Sequence, residues 1–177
     1  MDTLSISEHK LDSNASTKRQ VLKSIASCYD IFNFNGPVLN RARLFLHELQ
    51  CKNSLPWDKV LCKESLKEWK NICIQYNKAP TAQIERYCGP RSGSYSLIAF
   101  TDASNVIYGT VIFIMHKESG KLSFLLAKNR FACKTLIAKG TPSLEPQAIL
   151  LGVETLANVK EGLAGYACFN PIKFTDI

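Results

Sequence analysis

The apolar residues of this chain change their period from helical to strand-like close to residue 90. Before that point they recur every three or four positions. After it they alternate, or run together in β-branched and aromatic stretches. Side chains share a face every 3.6 residues on a helix and every second residue on a strand. The first part is therefore expected to be helical and the second part sheet-forming. The change falls within "NKAPTAQIERYCGPRSGS", where Pro80, Gly89, Pro90 and Gly93 punctuate the backbone. Four segments result: a flexible, Ser/Asn-rich lead-in over 1–16, a helical region over 17–79, a linker over 80–94 and a sheet domain over 95–177. A length of 177 residues suits one domain or two small ones.

Three helices are expected in the first part. "STKRQVLKSIASCY" places Gln20 three residues after Thr17, the spacing of a capping box, with Val21, Leu22, Ile25, Ala26 and Tyr29 at helical intervals. Asn35-Gly36-Pro37 breaks the pattern, and Pro37 suits the first turn of a second helix. Val38, Leu39, Ala42, Phe45, Leu46 and Leu49 form its apolar face. "NSLPWDK" reads as a turn before a third helix over about Lys59 to Tyr76, striped by Leu66, Trp69, Ile72, Cys73 and Tyr76. These stripes are core; Lys63, Lys67 and Lys70 lie outside the third one, as a solvated or a phosphate-tracking face.

After the linker, "YSLIAFTDA", "VIYGTVIFIM" and "LSFLLAKNR" read as three strands in an antiparallel meander, with a Ser-Gly hairpin turn in "HKESGK". "TPSLEPQAILLGVETLANVK" reads as a helix and "NPIKFTDI" as a fourth strand. The fold class is thus α/β: a helical N-terminal region followed by a mixed sheet in the order β-β-β-α-β.

Basic residues number 22 and acidic ones 15, a formal charge of +7, which permits a polyanion partner such as nucleic acid. The seven cysteines are scattered and include no C-x-x-C pair, which argues against a disulfide framework or a zinc site and for reduced thiols in an intracellular protein, cytoplasmic or nuclear. The opening "MDTLSISEHK" contains no apolar h-region, and the run around "VIFIM" is far short of a membrane span.

Three acids occupy related contexts. Asp102 follows "IAFT", Asp176 follows "IKFT", and Glu145 opens the long helix in "PSLEPQ". With that helix as a crossover, the fourth strand lies parallel to the first. Asp102 and Asp176 then stand at equivalent strand ends, and the helix start brings Glu145 towards them. Clustered carboxylates repel one another, and hard divalent cations relieve the repulsion. Two ions about 3.5–4 Å apart suit phosphodiester cleavage. Each acid also has a simpler reading. Asp102 could start an Asx-turn, Glu145 could favour a helix N-terminus through the macrodipole, and Asp176 could be solvated.

"FTDASNVIYGTVIF", "LLAKNR", "TPSLEPQAILLGVETL" and "IKFTDI" resemble the ribonuclease H domain of BEL/Pao-type LTR retrotransposon polyproteins. "TKRQVLKSIASCYDIFNFNGPVLNRARLFLHELQ", "LPWDK" and "LKEWK" are similar to the thumb- or connection-like region before it, so the resemblance covers about 17–177. It implies an RNase H-like fold and metal-dependent hydrolysis of RNA in RNA–DNA hybrids. It also implies Asp102, Glu145 and Asp176 as catalytic ligands of two Mg²⁺ or Mn²⁺ ions, and the rest of the polyprotein as a further partner. Ser104, Asn105, Lys128, Arg130 and Lys134 become candidate contacts to the hybrid backbone, which is read through phosphates and 2′-hydroxyls. The chain departs from the pattern at Ser143 and Pro146, beside the helix acid, and in "YDIFNFNGP". It has no Y-x-D-D-type polymerase motif, and it stops one residue past Asp176, so a C-terminally truncated RNase H-like domain with impaired activity is expected. A non-catalytic remnant, acting as a binding module or without a selected role, is the competing reading.

Overall fold

In a computed structural model the chain divides into two compact units, Ser5–Gln83 and Ile84–Ile177 with Met1–Leu4. The structure describes residues 3–5, 9–51, 55–78, 83–90, 93–165, 168–169 and 173–174. Two short strands, β1 (Thr3–Ser5) and β2 (Gln83–Glu85), pair with each other.

The helical unit contains α1 (Lys18–Ala26), α2 (Gly36–Cys51) and α3 (Lys63–Asn77). Thr17 caps α1 through the expected box: its Oγ1 accepts from Gln20 N at 3.3 Å, and Gln20 Oε1 accepts from Thr17 N. The apolar stripes meet in one core around Val21, Leu39, Ala42, Phe45, Trp69, Ile72 and Cys73, with Trp69 stacked on Phe45 at 5.7 Å between ring centroids.

Several features differ from the sequence expectation. Leu22, Ala26, Tyr29 and Val38, expected on the core stripes, are exposed, and Tyr29 lies past the end of α1. The far end of the lead-in is packed: Leu11 and Ala15 are buried in this core, Trp69 Nε1 donates to Asp12 O at 2.9 Å, and Asn77 bonds both the N–H and the C=O of Leu11. A buried indole needs such a partner, and the lead-in backbone provides it. The third helix starts at Lys63 rather than Lys59, because Lys59 N closes a turn onto Pro56 O and Val60 bridges to Thr17.

The sheet unit is built on β3 (Ser94–Ala103), β4 (Ile107–His116) and β5 (Leu122–Phe131), an antiparallel meander as expected. The turn between β4 and β5 closes with Gly120 at φ +69°, a conformation that glycine adopts without strain. A bulge near Ile112 and Phe113 leaves Leu125 unpaired. After β5 come α4 (Lys134–Lys139), a 3₁₀ turn (Thr141–Ser143) and α5 (Glu145–Gly162). Two short segments, β6 (Cys168–Phe169) and β7 (Lys173–Phe174), both run parallel to β3. The second unit thus runs as a meander, then α5, then strand segments parallel to β3, the β-β-β-α-β order expected from the sequence, with α4 inserted before α5.

Strand alternation assigns the two sheet faces. Tyr95, Leu97, Ala99, Ile112 and Ile114 are buried with Leu156 of α5, which packs over β3 and β4. The opposite face carries Phe100, Phe113 and Phe124, edge to face at 5.7 and 5.9 Å. Gly152 fixes how closely α5 approaches: a Cβ there would lie 2.6 Å from Thr101 Cγ2. A glycine inside a helical apolar stripe is a mark of such an approach.

Candidate metal and nucleic-acid site

Asp102 is the ninth residue of β3 and Glu145 the first of α5, and both side chains are exposed. Asp102 pairs with Gly109, which pairs with Asn129, so these three form one row across the sheet. The neighbouring rows are Thr101–Thr110–Lys128 and Ala103–Tyr108–Arg130. Alternation puts Asp102 on the face away from α5, at the strand end where the α5 first turn also lies.

That last placement rests on one contact and one packing point. Thr141 Oγ1, in the 3₁₀ turn leading into α5, donates to Asn105 Oδ1 at 2.5 Å. Asn105 sits in the turn joining β3 to β4, three residues past Asp102. Further along, Gly152 rests on Thr101. The helix axis is therefore pinned at two points, and its N-terminal turn is held beside the end of β3. Pro146 stands in that first turn, where its missing N–H interrupts no helical hydrogen bond.

The simpler reading of Asp102 as an Asx-turn can be checked directly. Ser104 N donates to Ile107 O at 2.8 Å and Ser104 Oγ donates to the same carbonyl at 3.0 Å, so Ser104 organises the turn. Acids with structural roles in this protein have evident partners. Asp58 pairs with Arg19; Asp30 accepts from Phe34 N and Asn35 N; Glu118 accepts from Ser94 N and faces His116 Nε2 at 2.9 Å. Backbone N–H groups hold the Glu118 carboxyl below the usual carboxylate range. Among the described residues, neither the Asp102 nor the Glu145 carboxylate makes a hydrogen bond or ion pair. Their oxygens are the hard donors that Mg²⁺ takes, so the residues present fit a divalent cation in kind.

The remaining expected site residues are distributed as follows. Asp176 lies outside the described residues, two positions past Phe174, which pairs with Ala99. Among the described residues no group of three His, Cys, Asp or Glu side chains is placed to hold a metal ion. Ser104 and Asn105 flank Asp102 with their side chains engaged as above. Lys128 and Arg130 are exposed on β5; Lys134 opens α4, and its side chain is outside what the structure describes. Thr141 was not singled out in the sequence, since a threonine before a proline carries no signal of a contact 36 residues away.

No helix among the described residues is long and apolar enough to cross a membrane. A search of curated proteins returned no match to the chain. The family model described as "Pao retrotransposon-like RNaseH-like domain" matches residues 17–176, through both units and nearly the whole length. A match of that extent, on a chain whose helices lead into a β-meander, a crossover helix and parallel strand segments, makes it a member of the Pao retrotransposon-like RNaseH-like domain family.

Proposed function

We propose that the sheet unit binds RNA–DNA hybrid and hydrolyses its RNA strand, with Asp102, Glu145 and Asp176 holding divalent Mg²⁺ or Mn²⁺. RNase H-like domains in general bind nucleic acids and depend on metal, which supports the class of partner and cofactor. The observation that carries the reading is the Thr141–Asn105 hydrogen bond, which ties the turn leading into α5, four residues before Glu145, to the turn after β3, three residues past Asp102. The third ligand, Asp176, lies outside the described residues and is proposed from its context alone, since it follows "IKFT" as Asp102 follows "IAFT".

Divalent ions bound to these carboxylates would supply Lewis-acid stabilisation and an activated water for phosphodiester hydrolysis. The protein's own groups position the reaction. The β3–β4 turn, with Ser104 and Asn105, meets the hybrid backbone beside Asp102.

The test is cleavage of an RNA–DNA hybrid with Mg²⁺ or Mn²⁺ by the wild type, Asp102→Asn and Glu145→Gln. Cleavage by the wild type alone, with hybrid binding retained in both variants, is the expected result. Binding without cleavage in all three would overturn the hydrolase reading in favour of a non-catalytic binding module. Cleavage unchanged in Asp102→Asn would remove the proposed site.

A further inference from the structure

The positive charge of this chain is locally concentrated. Residues 119–144 contain five cations, Lys121, Lys128, Arg130, Lys134 and Lys139, and no acid, against +7 for the whole chain. Lys121 is paired with Glu85 at 2.5 Å. Lys128 and Arg130 are exposed, and among the described residues neither has a hydrogen-bond or ion-pair partner. Lys134 and Lys139 are the first and last residues of α4.

The sheet register says where this charge lies. Lys128 shares a row with Thr110, which is buried beneath α5, and Arg130 is two residues on, so both belong to the α5 side of the sheet. α5 packs over β3 and β4, and β5 lies beyond them at the edge of the described sheet. The two cations therefore form a shelf alongside α5, about 6.8 Å apart along the strand and about 10 Å from β3 across two strand spacings. They occupy the rows on either side of Asp102.

We infer that β5 is a phosphate-tracking edge: Lys128 and Arg130 hold successive phosphates of the hybrid backbone on the α5 side, while the acids act at the end of β3. This deepens the nucleic-acid reading above and rests on it for the identity of the ligand. The contacts are to phosphate and carry no sequence information. A competing role for cations on an edge strand is to prevent edge-to-edge pairing between copies.

The test is separable from catalysis. Binding of a fluorescein-labelled RNA–DNA hybrid is measured by anisotropy over a salt series, without divalent metal, in an Asp102→Asn background. Each phosphate contact contributes about 0.7–0.9 to the slope of log affinity against log salt. Lys128→Ala with Arg130→Ala is expected to lower that slope by about 1.4–1.8, each single change by about half as much, and Lys128→Arg with Arg130→Lys to leave it unchanged. Circular dichroism of the double alanine variant checks that it folds. An unchanged slope in the folded double variant would overturn the inference, and a concurrent rise in self-association on size exclusion would assign the cations to edge protection. Failure of the wild type to cleave hybrid would leave this salt dependence intact and bear only on the hydrolase reading.

Discussion

The helical unit and the sheet unit solve burial differently. In the helical unit the groups taken out of water have partners: Trp69 Nε1 reaches Asp12 O, Asn77 closes on Leu11, and the buried Lys18 donates its Nζ to Leu55 O at 2.7 Å while lying over the Trp57 ring. In the sheet unit α5 covers one face only. The buried hydroxyls of Thr110 and Ser123 have no hydrogen-bond partner among the described residues, and Phe100, Phe113 and Phe124 stay half-buried on the other face. The proposed ligands and phosphate contacts all belong to the second unit. Satisfied burial gives stability, whereas binding groups must face outwards at strand ends and edges, where packing does least.

The largest expected effect on stability would test the first half of that contrast. Trp69→Ala removes the fully buried centre of the helical core and its bond to Asp12, and should cost about 3–5 kcal/mol, read as a fall in the denaturant midpoint of the helical circular dichroism signal. A loss below about 1 kcal/mol would mean that this core is not what holds the unit.

Next comes alkali. Burial raises the Cys73 thiol to about 11, and burial first of all also raises the Cys28 thiol and the Tyr76 phenol. These groups stay neutral in the fold while the unfolded chain ionises, so their contribution is whole below the ordinary thiol value near 9 and falls as pH climbs towards 11. For Cys73 alone the fall is about 2–3 kcal/mol. Denaturant midpoints measured across that window should drop, and Cys73→Ala should flatten the drop. A flat wild-type profile would contradict it.

Gly152→Val should cost about 1–3 kcal/mol by forcing α5 off Thr101, and should weaken hybrid cleavage as Glu145 moves with the helix. Stability lost with cleavage intact would separate the helix contact from the site. Thr110→Val replaces a buried hydroxyl without a partner by a methyl of similar size, and is expected to raise stability by about 1 kcal/mol. A loss instead would show that the hydroxyl is satisfied in solution. Smallest of all, Asp102→Asn should leave stability within about 0.5 kcal/mol, since the carboxylate is exposed and makes no contact that folding depends on. A fall of more than about 1 kcal/mol would give Asp102 a structural role and weaken the contrast between the units.

Much of this architecture was legible from residue patterns. Thr17 and Gln20 announced a capping box because both partners lie within one helical turn. Tyr95, Leu97 and Ala99 announced a half-buried strand because alternation is a local property. Other features were hidden for the complementary reason. Nothing local to Leu11 or Ala15 says that Asn77 and Trp69 will bind their segment, and "SEHKLDSNAS" therefore read as a flexible lead-in. The six-residue α4 is too short to establish a period. Of the three acids, Asp102 and Glu145 could be nominated from their contexts, while the tie between the turn leading into α5 and the turn after β3 depends on a threonine 36 residues from its partner.

By itself the sequence determined the three helices, the meander, α5 and their order, the alternation of the strands and the family, because each follows from spacing along the chain or from motifs written continuously in it. Tertiary structure alone decided that Thr141 meets Asn105, that Gly152 sets the seat of α5, and that Lys128 and Arg130 stand on a shelf beside it. Those relations join residues far apart in the chain, and only close packing and sheet register bring them together.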